Sequence, residues 1–564
     1  MRALANASVS ASAACLLAVG VCAAAPGATD FPPGVATPNI AAPEPEKNPC
    51  PDRSDPVALG TALWNGWGRD LDNSRYQPEP AIRANDVNKL ALKWSFGFQG
   101  RGEFGQPTVV DGRLFIAAVS GRVYSLDARS GCTYWTFDGP AGNPTAISIG
   151  ELGQVRRVVL PKKLKRTLAH LDVIKAPSVA IFGDDKGTVY ALDAQRGTLV
   201  WKTQVESHPL ARIVAAPTLY NNRVFVSMAS TEEAMAALPG YACCTFRGSV
   251  AALEVATGKV LWKSYTVLEE PKATRKTSTG VQEFAPAGAA VVDSPTIDPK
   301  REVLYVGTGG STTSVEQSLT DAIVAFDLNS GKLRWVKQLV RSGEVGFNGF
   351  SSSPILRTLA TGNQIILAGQ RSGIVYAIDP DHGGEVIWET RTLGPRAAQA
   401  AAVQTGDAID WGMAADYKNV YVGLNGTGSL DAIDLKTGVV RWRTASPTPP
   451  CGWSEGICAH GESQAVTVMP GSAFSGSLDG HLRAYSTIDG KVMWDYDTAQ
   501  VLRPLNGVPA RGGPLDGGGA TIVNGMVYIN SGNALLAFST GSPSTGSPAT
   551  GSASTGSPPN TGSP

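Results

Sequence analysis

Two neighbouring cysteines, Cys243 and Cys244, have the types and spacing that point most directly to chemistry in this 564-residue chain. As thiols they are two soft nucleophiles side by side. Oxidised, they would close a small strained ring, because ordinary disulfides hold their Cα atoms well apart. The bridged form is the expectation for an exported chain, where disulfides persist, and strain of this kind survives where surrounding structure enforces it, often at functional sites. With Cys15 and Cys22 removed in an export signal, the pair belongs to an even set of six that includes Cys50, Cys132, Cys451 and Cys458. Cys451 and Cys458 bracket the short loop CGWSEGIC, which reads as a structural bridge rather than a metal site, with His460 a polar loop residue. No CxxCH run occurs, so the sequence shows no covalent c-type haem site.

The elements that must position these residues announce themselves as a repeat. An acid, a glycine and a tryptophan recur at four-residue steps: Asp127, Gly131, Trp135; Asp193, Gly197, Trp201; Glu254, Gly258, Trp262; Asp327, Gly331, Trp335; and Asp434, Gly438, Trp442. Asp379, Gly384, Trp388 carries one extra residue, and Ser486, Gly490, Trp494 has lost its acid. Each copy follows an alternating apolar run such as GRVYSLDA or GTVYALDA, so each unit is strand, turn, strand. The acid hydrogen-bonds its own turn, and the glycine accepts a positive φ. The tryptophan would bury a large ring against a neighbouring unit. Tryptophan spacings from 41 residues (Trp94 to Trp135) to 73 (Trp262 to Trp335) suit four-stranded propeller blades with variable loops. Trp94 precedes the first full copy, and the final stretch TIVNGMVYINSGNALLAF has strands but no tryptophan. These fragments complete one another if the N-terminal strand closes the last blade, which gives an all-β, eight-bladed propeller with no free edge.

The composition agrees. Hydrophobic residues make up 43%, glycines number 64 and prolines 38, and 48 basic residues balance 48 acidic ones, as in a turn-rich β protein with no nucleic-acid-binding charge. The basic cluster at Lys162 to Arg166 reads as a solvated loop. Residues 1–25 read as a secretory signal, with Arg2, the apolar run ACLLAVGV and a small-residue end at Ala23 to Ala25. A Pro/Ala-rich lead-in follows at 26–55, the packed propeller is expected at 56–540, and 541–564 form a Gly/Ser/Thr/Pro tail.

The run HPLARIVAAPTLYNNRVFVSMASTEE, then ACCTFRGSVAALEVATGKVLWKSYTV, APAGAAVVDSPTID and LYVGTGG, resembles the quinoprotein alcohol dehydrogenases, in particular the branch that oxidises polyvinyl alcohol. WNGWGRDLDNSRYQP, GQRSGIVYAIDPD, DWGMAAD and FSGSLDGHLRAY extend the resemblance across nearly the whole packed region. It implies a propeller that holds pyrroloquinoline quinone (PQQ) and a calcium ion in its central funnel and oxidises alcohols in the periplasm. Glu232, with Glu233 beside it, matches the family's cation ligand, and Asp321 its base and second ligand, with Glu316 a rival. Cys243, Cys244, Arg247, Arg371, Gln106 and Trp411 match positions around the cofactor. The plainer alternatives are a solvated loop for the two glutamates, a turn residue for Asp321 and blade ion pairs for the arginines.

Departures from the family fall where the cofactor should sit. Val292 stands where relatives place a tryptophan under the quinone, Gly310 where they carry a calcium-ligating asparagine, and Pro144 where an arginine is frequent. The loop between Trp335 and Ser353 is short, and the spacing CCxxR differs from the methanol-oxidising branch. The expectation is an exported PQQ- and calcium-dependent dehydrogenase of secondary alcohols that passes electrons to a separate soluble cytochrome c. The alternative is a propeller without cofactor that acts as a binding or assembly scaffold of the cell envelope.

Overall fold

The computed structural model describes residues 48–51, 57–60, 63–100, 105–139, 142, 145–152, 178–236, 238, 240–315, 317–339, 349–392, 408–426, 428–447 and 461–541. Pro144, Lys162 to Arg166, Glu316, residues 340–348 of the loop between Trp335 and Ser353, Cys451, Cys458, His460, the expected signal and the C-terminal tail beyond Gly541 lie outside the described residues. None of the described helices is long and apolar enough to cross a membrane.

Eight antiparallel blades, each with a four-stranded core, stand around one axis, and the sheets of the first and third carry a short fifth strand. We number the blades by their innermost strands: Thr108–Val110, Ser148–Glu151, Thr218–Tyr220, Thr296–Asp298, Ile355–Thr358, Ala414–Ala415, Thr467–Met469 and Thr521–Val523. Blade 8 takes its outermost strand, Ala91–Gly97, from the beginning of the chain, paired antiparallel with Ala534–Ser539. The expected ring closure is therefore present. Middle strands such as Ser178–Gly183 are buried along their whole length, because alternate side chains face the blades on either side. Between blades 1 and 2, for example, Phe115, Val123 and Trp135 pack against Ile147, Phe182, Tyr190 and Leu192.

The repeated signature is the joint between blades. The Trp201 indole N–H donates to the Val255 carbonyl of the next blade at 2.8 Å, and Trp135, Trp262, Trp388 and Trp442 make the corresponding bond to Ala194, Leu328, Leu435 and Thr487. Trp494 reaches Leu90 and Trp94 reaches Arg129, which carries the pattern across the closure. Gly258 sits at φ +70°, and a Cβ there would lie 2.5 Å from the Trp201 ring, so the ring seats on glycine backbone. Asp127 shapes its turn by accepting the Ser130 N–H at 2.7 Å; in the worn copy the Ser486 hydroxyl takes this role.

A segment before blade 1, residues 63–77, runs through the channel and touches the blades in turn. Leu63 and Trp64 pair with blade 1, Asn65 bonds Ile149, and Asn73 bonds Ser294 and Thr296. The carbonyls of Leu71, Asp72 and Ser74 accept from Ile297, Leu356 and Ala415, while Gln77 donates to Val468 and Ile522. Arg75, fully buried, donates to the carbonyls of Val466 and Trp67 and to Gln106 and Thr467, with its guanidinium over Trp67. Trp64, Ser74 and Arg75 are fully buried, so this segment fills the floor of the channel.

The Cys50–Cys132 disulfide, with Cα atoms 5.0 Å apart, ties the expected lead-in to the outer strand of blade 1, where Asn48 and Cys50 also pair with Thr133.

Candidate active site

The loops that leave the middle strands at the end opposite the Asp–Gly turns bring most of the sequence-derived candidates onto blades 3, 4 and 5. A chain of backbone hydrogen bonds links them. Gly248 donates to Gly288, Ala289 to Gly310, Asp321 to Gly309, Phe350 to Thr308 and Arg371 to Gly349. Two glycines are required for this close weave: a Cβ at Gly288, φ +111°, would lie 2.6 Å from the Thr312 nitrogen, and one at Gly349 would lie 2.8 Å from the Gly309 Cα.

Cys243 and Cys244 are disulfide-bonded. Their loop is clasped on one side by Phe284, which donates to the Cys243 carbonyl and accepts from the Cys244 N–H. On the other side the sulfurs lie 4.0 and 3.7 Å from the Thr312 carbonyl oxygen. Arg247 leaves this loop with its guanidinium 3.7 Å from the Tyr265 ring centre and donates to the Leu268 carbonyl.

Asp321 opens the third strand of blade 4 at φ +49°, a conformation that aspartate tolerates better than most residues. Its Oδ1 is buried and accepts no hydrogen bond. Burial, and then the charge of Glu233, push its carboxyl from 3.8 up to about 6. Glu233 itself is raised by burial and partly held down by Arg371. Its side chain is exposed to solvent. Glu232 behaves differently: it is fully buried, and both its oxygens accept backbone N–H groups of the cysteine loop. Arg371 lies 3.8 Å from Asp410, whose other oxygen accepts from Asn425 at 2.6 Å. Trp411 donates to Asp516 at 2.6 Å.

Gln106 is placed apart from this group. Its amide oxygen accepts from Arg75 at 2.7 Å and its nitrogen donates to Thr521, both in the buried floor of the channel. Val292 is half-buried in the segment between blades 3 and 4, next to Asp293. Burial raises the Asp293 carboxyl well above its ordinary range; Oδ2 accepts from Gly307 at 2.7 Å, and Oδ1 is unpartnered. A side chain at Gly310 would begin 3.4 Å from Asp321 Oδ1, so this departure from the family pattern leaves open space beside the orphaned oxygen. Sequence reasoning missed Arg75 and Asp293; the signal for Arg75 was its place in the WNGWGRDLDNSRYQP match.

The family model of the glucose/ethanol/alcohol dehydrogenase β-propeller domain, the PQQ family, matches residues 64–392, more than half the chain. The polyvinylalcohol dehydrogenase of Pseudomonas sp. is 39% identical over 509 residues, covering 86% of this chain and 75% of its own. The chain belongs to the PQQ-dependent alcohol dehydrogenase family. It is an enzyme of that family. A second polyvinylalcohol dehydrogenase, from Sphingopyxis sp. (strain 113P3), is 36% identical over 86% of this chain and 75% of its own. Among solved structures, quinohemoprotein alcohol dehydrogenase from Comamonas testosteroni shares the fold with a TM-score of 0.62 at 18% identity, covering 88% of this chain and 83% of its own. A model of the outer membrane protein assembly factor BamB also matches, over residues 371–524.

Proposed function

We propose that this member of the family oxidises secondary hydroxyl groups of polyvinyl-alcohol-like substrates to ketones, with PQQ and calcium bound beside Asp321. The relatives' names support the substrate class, and the observation that carries the site is the orphaned Oδ1 of Asp321 next to Glu233. A buried carboxylate crowded by another carboxylate is costly unless a cation joins them. Asp321 and Glu233 offer that cation hard oxygens, as calcium requires. Among the described residues no three His, Cys, Asp or Glu side chains converge on one point, so Asp321 and Glu233 would hold the ion only together with further oxygen ligands.

Bound PQQ supplies a two-electron acceptor and calcium a Lewis acid, chemistry that no side chain here provides. Asp321 is ionised at neutral pH and can take the proton of a substrate hydroxyl at Oδ1. Arg371, 3.8 Å from Asp410, brings positive charge for the carboxylates of an acidic cofactor, whereas the Arg247 guanidinium lies over Tyr265 with the Glu270 carboxylate 4.0 Å away. The disulfide at Cys243 and Cys244 and the glycine weave give one wall a rigid, sulfur-bearing surface. The signal-like pattern of residues 1–25 supports a location in the periplasm or outside the cell, with a soluble cytochrome c as electron acceptor.

The test is PQQ binding by the purified protein with calcium present, followed by dye-linked oxidation of polyvinyl alcohol and of small secondary alcohols. Binding with turnover on the polymer is expected. Failure to bind PQQ at saturating calcium would sink the reading and favour the envelope scaffold.

A further inference from the structure

Glu232 and Glu233 are consecutive, but they begin the short helix Glu232–Ala236, where each residue turns about 100° from the last. Their carboxylates accordingly meet different surroundings. Glu232 Oε1 accepts from the Thr245 N–H at 2.8 Å and the Tyr241 hydroxyl at 2.9 Å, and Oε2 accepts from the Phe246 N–H at 2.7 Å. The Thr245 hydroxyl at 3.4 Å and His208 Nε2 at 3.7 Å complete its surroundings. All three close donors flank the cysteine pair, Tyr241 on one side and Thr245 and Phe246 on the other. The opposite side of the loop is fastened by Phe284. Removal of the carboxylate would leave two backbone N–H groups without acceptors, in a part of the loop where Phe246 is buried.

We infer that Glu232 is a positioning residue that clamps the Cys243–Cys244 loop, and that Glu233, not Glu232, is the glutamate turned toward the cation site. This departs from the assignment that the family resemblance implies. The Glu233 half rests on the proposed cofactor reading; the Glu232 half does not, because the clamp consists of hydrogen bonds within the chain.

The experiment compares Glu232→Gln, Tyr241→Phe and Glu233→Gln in the full chain. The first readout is the rate at which dithiothreitol opens the Cys243–Cys244 bridge, measured by alkylation and mass spectrometry with Cys50–Cys132 as internal control. In Glu232→Gln one acceptor oxygen becomes a donor facing a backbone N–H, so reduction accelerates about tenfold or more. Tyr241→Phe keeps the carboxylate and the fold and accelerates reduction about two- to fivefold. Glu233→Gln leaves the rate within about twofold of the parent. The second readout is calorimetric titration with calcium in the presence of PQQ, in which Glu233→Gln weakens binding about tenfold or more and Glu232→Gln changes it less than about threefold. Unchanged reduction in both Glu232→Gln and Tyr241→Phe overturns the clamp, and loss of calcium binding in Glu232→Gln but not in Glu233→Gln overturns the reassignment. If the parent protein binds neither PQQ nor calcium, the proposed function fails while the reduction arm still decides the clamp.

Discussion

Replacing Asp321 by asparagine should make the cofactor-free protein more stable while it abolishes catalysis. The carboxyl is raised from 3.8 to about 6 by burial and by Glu233. At 1.36 kcal/mol per pKa unit, holding it ionised above pH 6 costs the fold at most about 3 kcal/mol. The sign follows from linkage: because the folded-state value is raised, the native protein binds this proton more tightly, and its stability falls as pH rises from 3.8 through 6. An asparagine side chain in its place is neutral at every pH and nearly isosteric. The variant's advantage should therefore be about 2 to 3 kcal/mol at pH 7.5 and shrink to about 1 kcal/mol at pH 4.5. Urea unfolding of both proteins without PQQ or calcium, at the two pH values, reads this directly. Calcium with PQQ should then stabilise the parent but not the variant. An Asp321→Asn protein less stable than its parent at pH 7.5, or an advantage that does not change with pH, would refute the claim that charge is held there at a cost.

With calcium at Asp321 as proposed, binding would displace the Asp321 proton, so its affinity should fall about tenfold per pH unit below pH 6, as titrations at pH 7.5, 6 and 5 would show. Gly258→Ala should cost about 3 kcal/mol or more, since the new Cβ meets Trp201 at 2.5 Å in a left-handed conformation; a loss under about 1 kcal/mol in urea unfolding would contradict the joint. Arg75→Met should destabilise by about 3 to 5 kcal/mol, because four buried acceptors lose their donor; Arg75→Lys should not rescue it, since an ammonium cannot reproduce the fork.

The ring was legible because its joint is local and repeated. An acid, a glycine and a tryptophan within nine residues specify a turn, and the same triad marks the seat on which the preceding blade's ring rests, so the fold could be read copy by copy. Even the closure was visible, because Trp94 lacked a turn and the final strands lacked a tryptophan. The channel segment was not legible. Residues 63–77 have no periodicity, and their partners lie up to 445 positions away, as for Gln77 and Ile522. For the same reason Gln106, a candidate around the cofactor by motif, is found serving Arg75 in the floor. Two adjacent glutamates look alike in a sequence, and only the turn of the helix after Ser230 separates the buried one from the exposed one. Asp321 was found by motif, but the absence of any partner for its Oδ1 is a property of packing that no motif reports.

The filled channel floor has a consequence for how a long substrate could be handled. A tunnel open at both ends would let a polymer be threaded from one terminus and worked along its length. With the buried 63–77 segment as a floor, whatever enters would withdraw by the same mouth. A chain of many hydroxyls could therefore present only a short bend at a time, anywhere along its contour, and leave after each encounter. Under the proposed oxidation of a polymer, ketones would be scattered along it from the first turnovers rather than gathered in a block beginning at one end.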